Sequence, residues 1–231
     1  MYKGKTFLAI IPARGGSKRL PRKNILNLSG KPLITWSIEA GLGSKYIDEI
    51  VVTSDSDEIL NLSKGAGLRL IKRPDYLASD TATTFDVVKH VIKNMGYYDY
   101  IVLLQPTSPL RSEVHIDEAI ELLKVSAADA VVSVCELDHS PMWANILPTD
   151  GNMKNFLRSE VANKRSQDLE IFYRINGAIY ICKLDKLLKE EDFFLKDNIF
   201  AYKMDRKSSV DIDEKVDYLL AEVLSNYKDD Y

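Results

Sequence analysis

Two sets of residues in this chain have the types and spacing to do chemistry. The first lies in AIIPARGGSKRLPRKN (Ala9–Asn24), where Arg14, Lys18, Arg19, Arg22 and Lys23 put five basic residues into ten positions with no acid among them. Gly15 and Gly16 would let backbone N–H groups approach an anion, and Pro21 would stiffen the loop that carries Lys23 and Asn24. The pattern GxxxxGK[ST] is absent, so this is not a Walker A loop. The same charges would also serve an ordinary solvated loop. The second set is SSVDID (Ser208–Asp213). In an extended segment the period of two places Asp211 and Asp213 on one face, where two carboxylates repel unless a cation or donor lies between them. Mg²⁺ is commonly held by one or two carboxylates together with substrate phosphates. A surface acid pair with Asp213 as a helix N-cap is the alternative.

Two further stretches could flank such a site. LLQPTSPLR (Leu103–Arg111) ends an apolar run in a rigid polar turn, with the Gln105 amide available to a base or a sugar hydroxyl. KRPDYLASDTATT (Lys72–Thr84) is a polar loop carrying Arg73 and several hydroxyls, which could equally cap a helix. His90, His115 and His139 have no ligand spacing, and no nucleophile stands near a base in any recognisable order.

The elements that must position these residues follow from apolar periodicity. Phe7–Ile11, Glu49–Ser54, Tyr100–Gln105 and Ala130–Glu136 read as buried strands. Helices are expected at Pro32–Gly41 with Pro32 in the first turn, from Asp55 to Gly65 or Gly67, and at Glu113–Ser126. Gly177–Lys183 and Phe200–Met204 resume the strand pattern, and a last helix runs from Glu214 to Asn226. β-Branched runs alternating with helices predict an α/β fold with a mostly parallel sheet covered on both faces. Ligands of such sheets bind beyond the carboxyl ends of the strands, where the polar loops leave. Between Leu137 and Arg174 no period survives, which divides the chain into a core (1–136 and 176–231) and an insertion (137–175).

The 231 residues carry a net charge of −3, so the basic patch is local and suits a small anionic partner, not nucleic acid. No apolar run approaches the ~18 residues of a membrane span. Cys135 and Cys182 lack metal spacing and read as buried thiols in a reducing cytoplasm.

With these residues in view, the sequence resembles the acylneuraminate cytidylyltransferases, meaning the CMP-sialic acid synthetases and their legionaminic and pseudaminic relatives. The resemblance rests on five ordered blocks that span nearly the whole chain: IIPARGGSKRLPRKN, RPDYLASDTATT, LLQPTSPLR, NGAIYI (Asn176–Ile181) and SSVDID. It implies a Rossmann-like nucleotidyltransferase core with a dimerisation insertion, a homodimer, Mg²⁺, and a reaction in which CTP and a nine-carbon 2-keto sugar acid give a CMP-sugar and pyrophosphate. N-acetylneuraminate is the first choice of acid, and legionaminic or pseudaminic acid the alternative. Carried over by motif, Arg14, Gly15, Gly16, Ser17, Lys18, Lys23, Asn24, Arg73 and Thr84 would bind the nucleotide. Arg14, Lys23 and Asp211 would be catalytic, and Asp211 and Asp213 would hold the metal. Gln105, Arg165, Arg174, Asn176, Tyr180, Phe193 and Phe194 would bind the sugar, the two phenylalanines from a neighbouring subunit or as interface packing. Arg19 and Arg22 are read as solvated rim.

The chain departs from that family in the insertion, where PMWAN (Pro141–Asn145) and RSQDLE (Arg165–Glu170) replace a basic residue and an RQxLP stretch. A cytidylyltransferase for an eight-carbon acid, a metal-dependent glycosyltransferase and a non-catalytic nucleotide-binding domain are the competing readings.

Overall fold

The computed structural model describes residues 2–65 and 67–227. In chain order, strand β1 (Phe7–Pro12) leads through the basic loop to a small hairpin, β2 (Asn27–Leu28) and β3 (Lys31–Pro32), and then to helix α1 (Leu33–Gly43). β4 (Glu49–Ser54), α2 (Asp57–Leu62), β5 (Leu68–Lys72) and α3 (Thr84–Asn94) follow. Next come β6 (Tyr100–Leu103), α4 (Glu113–Val125), β7 (Ala130–Glu136), β8 (Tyr173–Lys183), α5 (Leu184–Glu190), β9 (Ile199–Met204) and α6 (Lys215–Asn226).

Seven strands form one sheet in the order β5-β4-β1-β6-β8-β7-β9. All neighbouring pairs are parallel except those of β8, which runs antiparallel to both β6 and β7. The alternation along β1 shows why it needs cover on both sides. Phe7, Ala9 and Ile11 enter a core with Ile34 and Ile38 of α1 and Ile116 and Ile120 of α4. Leu8 and Ile10 enter another, with Val88 and Val91 of α3 and Leu184 and Leu187 of α5. A third, smaller core joins Leu28 and Leu33 to Val210 and Ile212 and to Tyr218 and Ala221 of α6. It holds the acid-bearing segment against the foot of α1.

Capping explains several boundaries. Ser56 accepts the Ile59 N–H and starts α2, while Thr83 and Asp86 form a reciprocal capping box at α3. Ser112 and His115 do the same for α4, with the His115 ring nitrogen Nδ1 taking the Ser112 N–H at 3.0 Å. Pro32 stands at the N-cap of α1, one place earlier than expected, because its ψ of 143° is extended. The cap of α6 is Glu214, not Asp213. α2 stops at Leu62, short of Gly65.

The segment Leu137–Phe172 contains only short 3₁₀ turns, and its two ends meet where the Leu137 N–H donates to the Phe172 carbonyl at 2.9 Å. β8 is longer than the apolar run Gly177–Lys183 because Ile175, Arg174 and Tyr173 pair with Val134, Cys135 and Glu136. Its first half therefore projects past the carboxyl end of β6, at the edge where the polar loops emerge. Cys135 and Cys182 are free and buried, and burial pushes the Cys182 thiol up to about 12. Among the described residues no helix is long and apolar enough to cross a membrane.

Candidate active site

A cavity of about 520 Å³ opens at the carboxyl edge of the sheet, between the loop after β1, the Arg73–Thr84 loop and the turn after β6. Arg14, Ser17, Lys18, Lys23, Asn24, Arg73, Thr84, Gln105 and Asp213 all line it. So do Asp80 and the exposed Arg19, which stands at the cavity's edge. Arg22 is a rim residue as well, with a left-handed backbone (φ 57°) and a guanidinium turned to Glu58 at 2.5 Å. That backbone turn sends the next residue inward. Lys23 starts a 3₁₀ turn, and its ammonium, on a side chain only 12% exposed, donates to the Ile212 carbonyl at 2.6 Å and to Asp213 Oδ1 at 3.0 Å. Asn24 is buried and donates to the Arg14 carbonyl at 2.9 Å, closing the loop on itself.

The cations of the cavity are held by carboxylates. Asp80 takes Arg14 Nη1 at 3.0 Å on one oxygen and Lys18 on the other. Those two hydrogen bonds, Lys18 first, hold the Asp80 carboxyl below its ordinary range. Asp213 takes Lys23 on one oxygen and Arg19, at 3.1 Å, on the other. Arg73 is 4% exposed, at 3.5 Å from Asp55, and its Nε has no hydrogen-bond partner among the described residues. Burial lowers its pKa, against the pull of Asp55. With five cations and two carboxylates on its wall, the cavity keeps an excess of positive charge.

The glycines act differently from their sequence expectation. Neither Gly15 nor Gly16 lines the cavity. The Gly15 N–H is taken by Asp55 Oδ1 at 3.1 Å, and a Cβ there would stand 3.1 Å from the Cβ of Ser56. Gly15 thus permits close packing of the loop against the cap of α2, and its N–H is not turned to a ligand. Nothing lies within 4 Å of a Cβ at Gly16.

A second hollow, of about 580 Å³, adjoins the first and shares Asp213 with it. Arg174, Asp211, Asp138 and Arg206 line it. Asp211 Oδ1 is buried without a hydrogen-bond partner, and burial raises the Asp211 pKa, opposed by the Thr107 hydroxyl. The Ile212 N–H donates to the Thr107 carbonyl at 2.8 Å, so the turn after β6 and the acid segment are stitched together. Gly177 completes this corner. Its φ is +76°, and a Cβ would lie 3.2 Å from Gln105 Oε1 and 3.7 Å from Asp211 Oδ2. The Gln105 amide and the Asp211 carboxylate therefore face one another across a bare α-carbon.

Several of the expected sugar residues stand elsewhere. Arg165 lies in the irregular segment, exposed and paired with Asp168 at 2.9 Å, outside both hollows. Asn176 is 1% exposed, with its amide spent inside the protein: Oδ1 accepts from Ser133 at 2.6 Å and Nδ2 donates to Ser209 at 2.9 Å. It ties β8 to the turn before Asp211, joined there by Arg174, which donates to the Ser209 carbonyl at 3.2 Å. Phe193 is buried in this chain's own core, and both it and the half-exposed Phe194 meet the Tyr180 ring edge-on at 5.9 and 6.0 Å. Both phenylalanines therefore pack on Tyr180 of the same chain.

Asp80, Gly177 and Thr107 belong to the arrangement but were not singled out by type and spacing. Each lies inside a quoted block, and the remaining signal was the excess of acids and hydroxyls in loops that leave strand ends.

A cationic cavity beyond the carboxyl ends of a mostly parallel sheet, with two carboxylates at its rim, defines a Rossmann-like α/β protein arranged to hold a small anion. Residues 8–229 match the model of the family described as "Cytidylyltransferase", and the chain belongs to that family. It is 36% identical to the N-acylneuraminate cytidylyltransferase of Escherichia coli over 96% of this chain and 52% of that protein. It is equally 36% identical to the CMP-N,N'-diacetyllegionaminic acid synthase of Legionella pneumophila, across 94% of this chain and 95% of that one. The pseudaminic acid cytidylyltransferase of Campylobacter jejuni is 33% identical over 94% and 95%. The chain spans about half the length of the Escherichia coli and Streptococcus agalactiae relatives it matches. Among solved structures, CMP:2-keto-3-deoxy-manno-octonic acid synthetase complexed with CTP has the same fold, with a TM-score of 0.70 at 17% identity over 95% of this chain and 98% of that one.

Proposed function

We propose that this protein activates a nine-carbon 2-keto sugar acid with CTP, releasing pyrophosphate and forming the CMP-sugar. The observation that carries the reading is the contiguous pair of hollows: a cationic one sized for a nucleoside triphosphate, and beside it one lined by both aspartates and basic residues that shares Asp213.

In that reaction the anomeric hydroxyl oxygen gives up its proton to solvent and bonds to the α-phosphorus, the bond from that phosphorus to the bridging oxygen breaks, and pyrophosphate leaves with its electron pair. Such transfers ask the protein mainly for positioning and charge stabilisation. Arg14, Lys18 and Arg73 supply positive charge where the triphosphate would lie, and Lys23 donates beside the acid segment. Asn24 and Thr84 border the nucleoside end, while Gln105 faces the acceptor. Arg174, next to Asp211, is placed to receive the acceptor's carboxylate, since arginine takes carboxylates bidentately.

Asp211 fits a role in holding Mg²⁺, and Asp213 would join it by giving up Lys23 or Arg19, which now occupy its two oxygens. Asp211 carries an unpartnered buried oxygen, and among the described residues no group of three or more acids, histidines or cysteines forms a complete cage. Two carboxylates completed by substrate oxygens suit this hard cation, which when bound would neutralise charge on the phosphates.

A homodimer belongs to the same reading. Ile146, Leu147, Met153, Leu157 and Ile171 of the irregular segment are exposed, as are Tyr173 and Ile175 at the start of β8. A second copy of the chain packed on that segment would cover them, with sedimentation mass as the check.

The experiment is pyrophosphate release from CTP with Mg²⁺ and, in turn, N-acetylneuraminic, legionaminic, pseudaminic and eight-carbon 2-keto acids. Turnover with a nine-carbon acid is expected, and the preferred one sets the specificity. Nucleoside diphosphate release, or turnover of the eight-carbon acid alone, would overturn the proposal.

A further inference from the structure

Arg111 heads the fully buried side chains by size, at 1% exposure, yet among the described residues it pairs with no carboxylate. Its contacts are two backbone carbonyls, both reached by Nη1: Ala178 at 3.1 Å and Gln105 at 3.3 Å. Nε and Nη2 are buried without hydrogen-bond partners among the described residues. Burial with no compensating charge pushes the Arg111 pKa down to about 9.

A buried cation is a poor stabiliser, and replacing buried charges by apolar groups of similar volume is often neutral or stabilising. The location of the two carbonyls gives Arg111 another use. Gln105 bears the amide that lines the cationic cavity. Ala178 follows Gly177, the bare α-carbon across which that amide meets Asp211. One guanidinium nitrogen thus ties the strand end of β6 to the projecting half of β8, behind the corner where acceptor and acid segment would meet. Ser37 adds a third tie to the Gln105 carbonyl at 3.2 Å.

We infer that Arg111 is a positioning residue for the transfer, fixing the Gln105 amide opposite the Asp211 carboxylate by pinning the Gln105 and Ala178 carbonyls together. The inference rests on the proposed cytidylyl transfer. Catalytic groups must be held to within ~0.5 Å, and a displacement of ~1 Å can cost about a hundredfold in rate.

The test compares wild type, Arg111→Met and Arg111→Lys. The Met variant is expected to melt within ~3 °C of wild type or above it, and to lose about thirtyfold or more in kcat. Its Kd for CTP should change less than about threefold, because CTP's expected partners lie on other loops. The Lys variant, which keeps one donor, should recover part of kcat. A Met variant with kcat within about threefold of wild type overturns the inference while leaving the proposed function intact. So does a joint collapse of melting temperature and activity in the Met variant when the Lys variant has normal kcat.

If wild type turns over no acid in the panel, the proposed function fails, and amide hydrogen exchange then decides the positioning claim. Exchange at Ser108 and Ala178, whose amides donate to Gln105 and to Asn176, should be at least about tenfold faster in the Met variant. Unchanged exchange overturns it.

Discussion

Replacing Lys23 by methionine keeps the apolar stem and removes the ammonium. Two hydrogen bonds vanish with it, to the Ile212 carbonyl and to Asp213, across a separation of 189 and 190 residues. Hydrogen bonds to charged groups are worth ~1.5–3 kcal/mol, and a part-buried carbonyl left unpaired costs ~1–3 kcal/mol. Asp213 is 41% exposed and keeps Arg19, so its share is small and the carbonyl dominates. A loss of about 2 kcal/mol follows, or roughly 4–8 °C in melting temperature for a chain of this size. The kinetic loss is larger. Removing one preorganised donor to developing charge typically costs ~10²–10³ in kcat. Thermal melts at pH 7 and pyrophosphate release at saturating CTP measure the two effects separately. If Lys23→Met melts like wild type and turns over within about threefold of it, the ammonium neither holds the acid segment nor serves the reaction, and the reasoning is wrong.

Asp211→Asn should be more stable than wild type at pH 7 and at least about a hundredfold slower. Burial raises the folded pKa of Asp211 above its unfolded value of 3.8, so the native state holds the proton more tightly and wild-type stability falls as pH rises from 3.8 through the raised value. The melting difference between wild type and Asp211→Asn should therefore open with pH across that window, and a variant less stable than wild type at pH 7 would count against it. Gly177→Ala forces an L-residue to φ +76° with its Cβ 3.2 Å from Gln105 Oε1. About 1–2 kcal/mol of stability and at least tenfold in kcat should go, and unchanged melts and rates would disprove the close approach. Asp80→Asn releases Arg14 and Lys18 from an internal anion. CTP should then bind roughly two- to fivefold more tightly by calorimetry, and weaker binding would make Asp80 part of the ligand's own cradle.

The strands were legible where burial on both faces demands continuous apolar runs: β4 and β7 have the boundaries expected for Glu49–Ser54 and Ala130–Glu136. β5 escaped notice because Arg69 and Lys72 break its apolar run at an exposed sheet edge. α3 was overshadowed by the hydroxyls that cap it, and α5 spans just seven residues. The early start of β8 is a matter of partnership with β7, which no local pattern records. In the site, charge and spacing revealed the basic loop and the acid pair. They did not reveal which cation each carboxylate holds, because Lys23 and Asp213 meet only through the fold. Arg111 ends the polar turn after Pro109 and Leu110, where nothing local marks it for burial, yet the fold encloses it. Asn176 entered the sugar set through the resemblance alone, and its amide is spent on Ser133 and Ser209.

The irregular segment Leu137–Phe172 leaves and re-enters the sheet at one point, through strands that already pair with each other. A segment with its ends clamped in this way behaves as a cassette. Its length and side chains could be exchanged by design without altering strand register or the basic loop after β1. Such an exchange would reach the hollow beside Asp211, which Asp138 of the segment lines, and leave the cations of the basic loop in place.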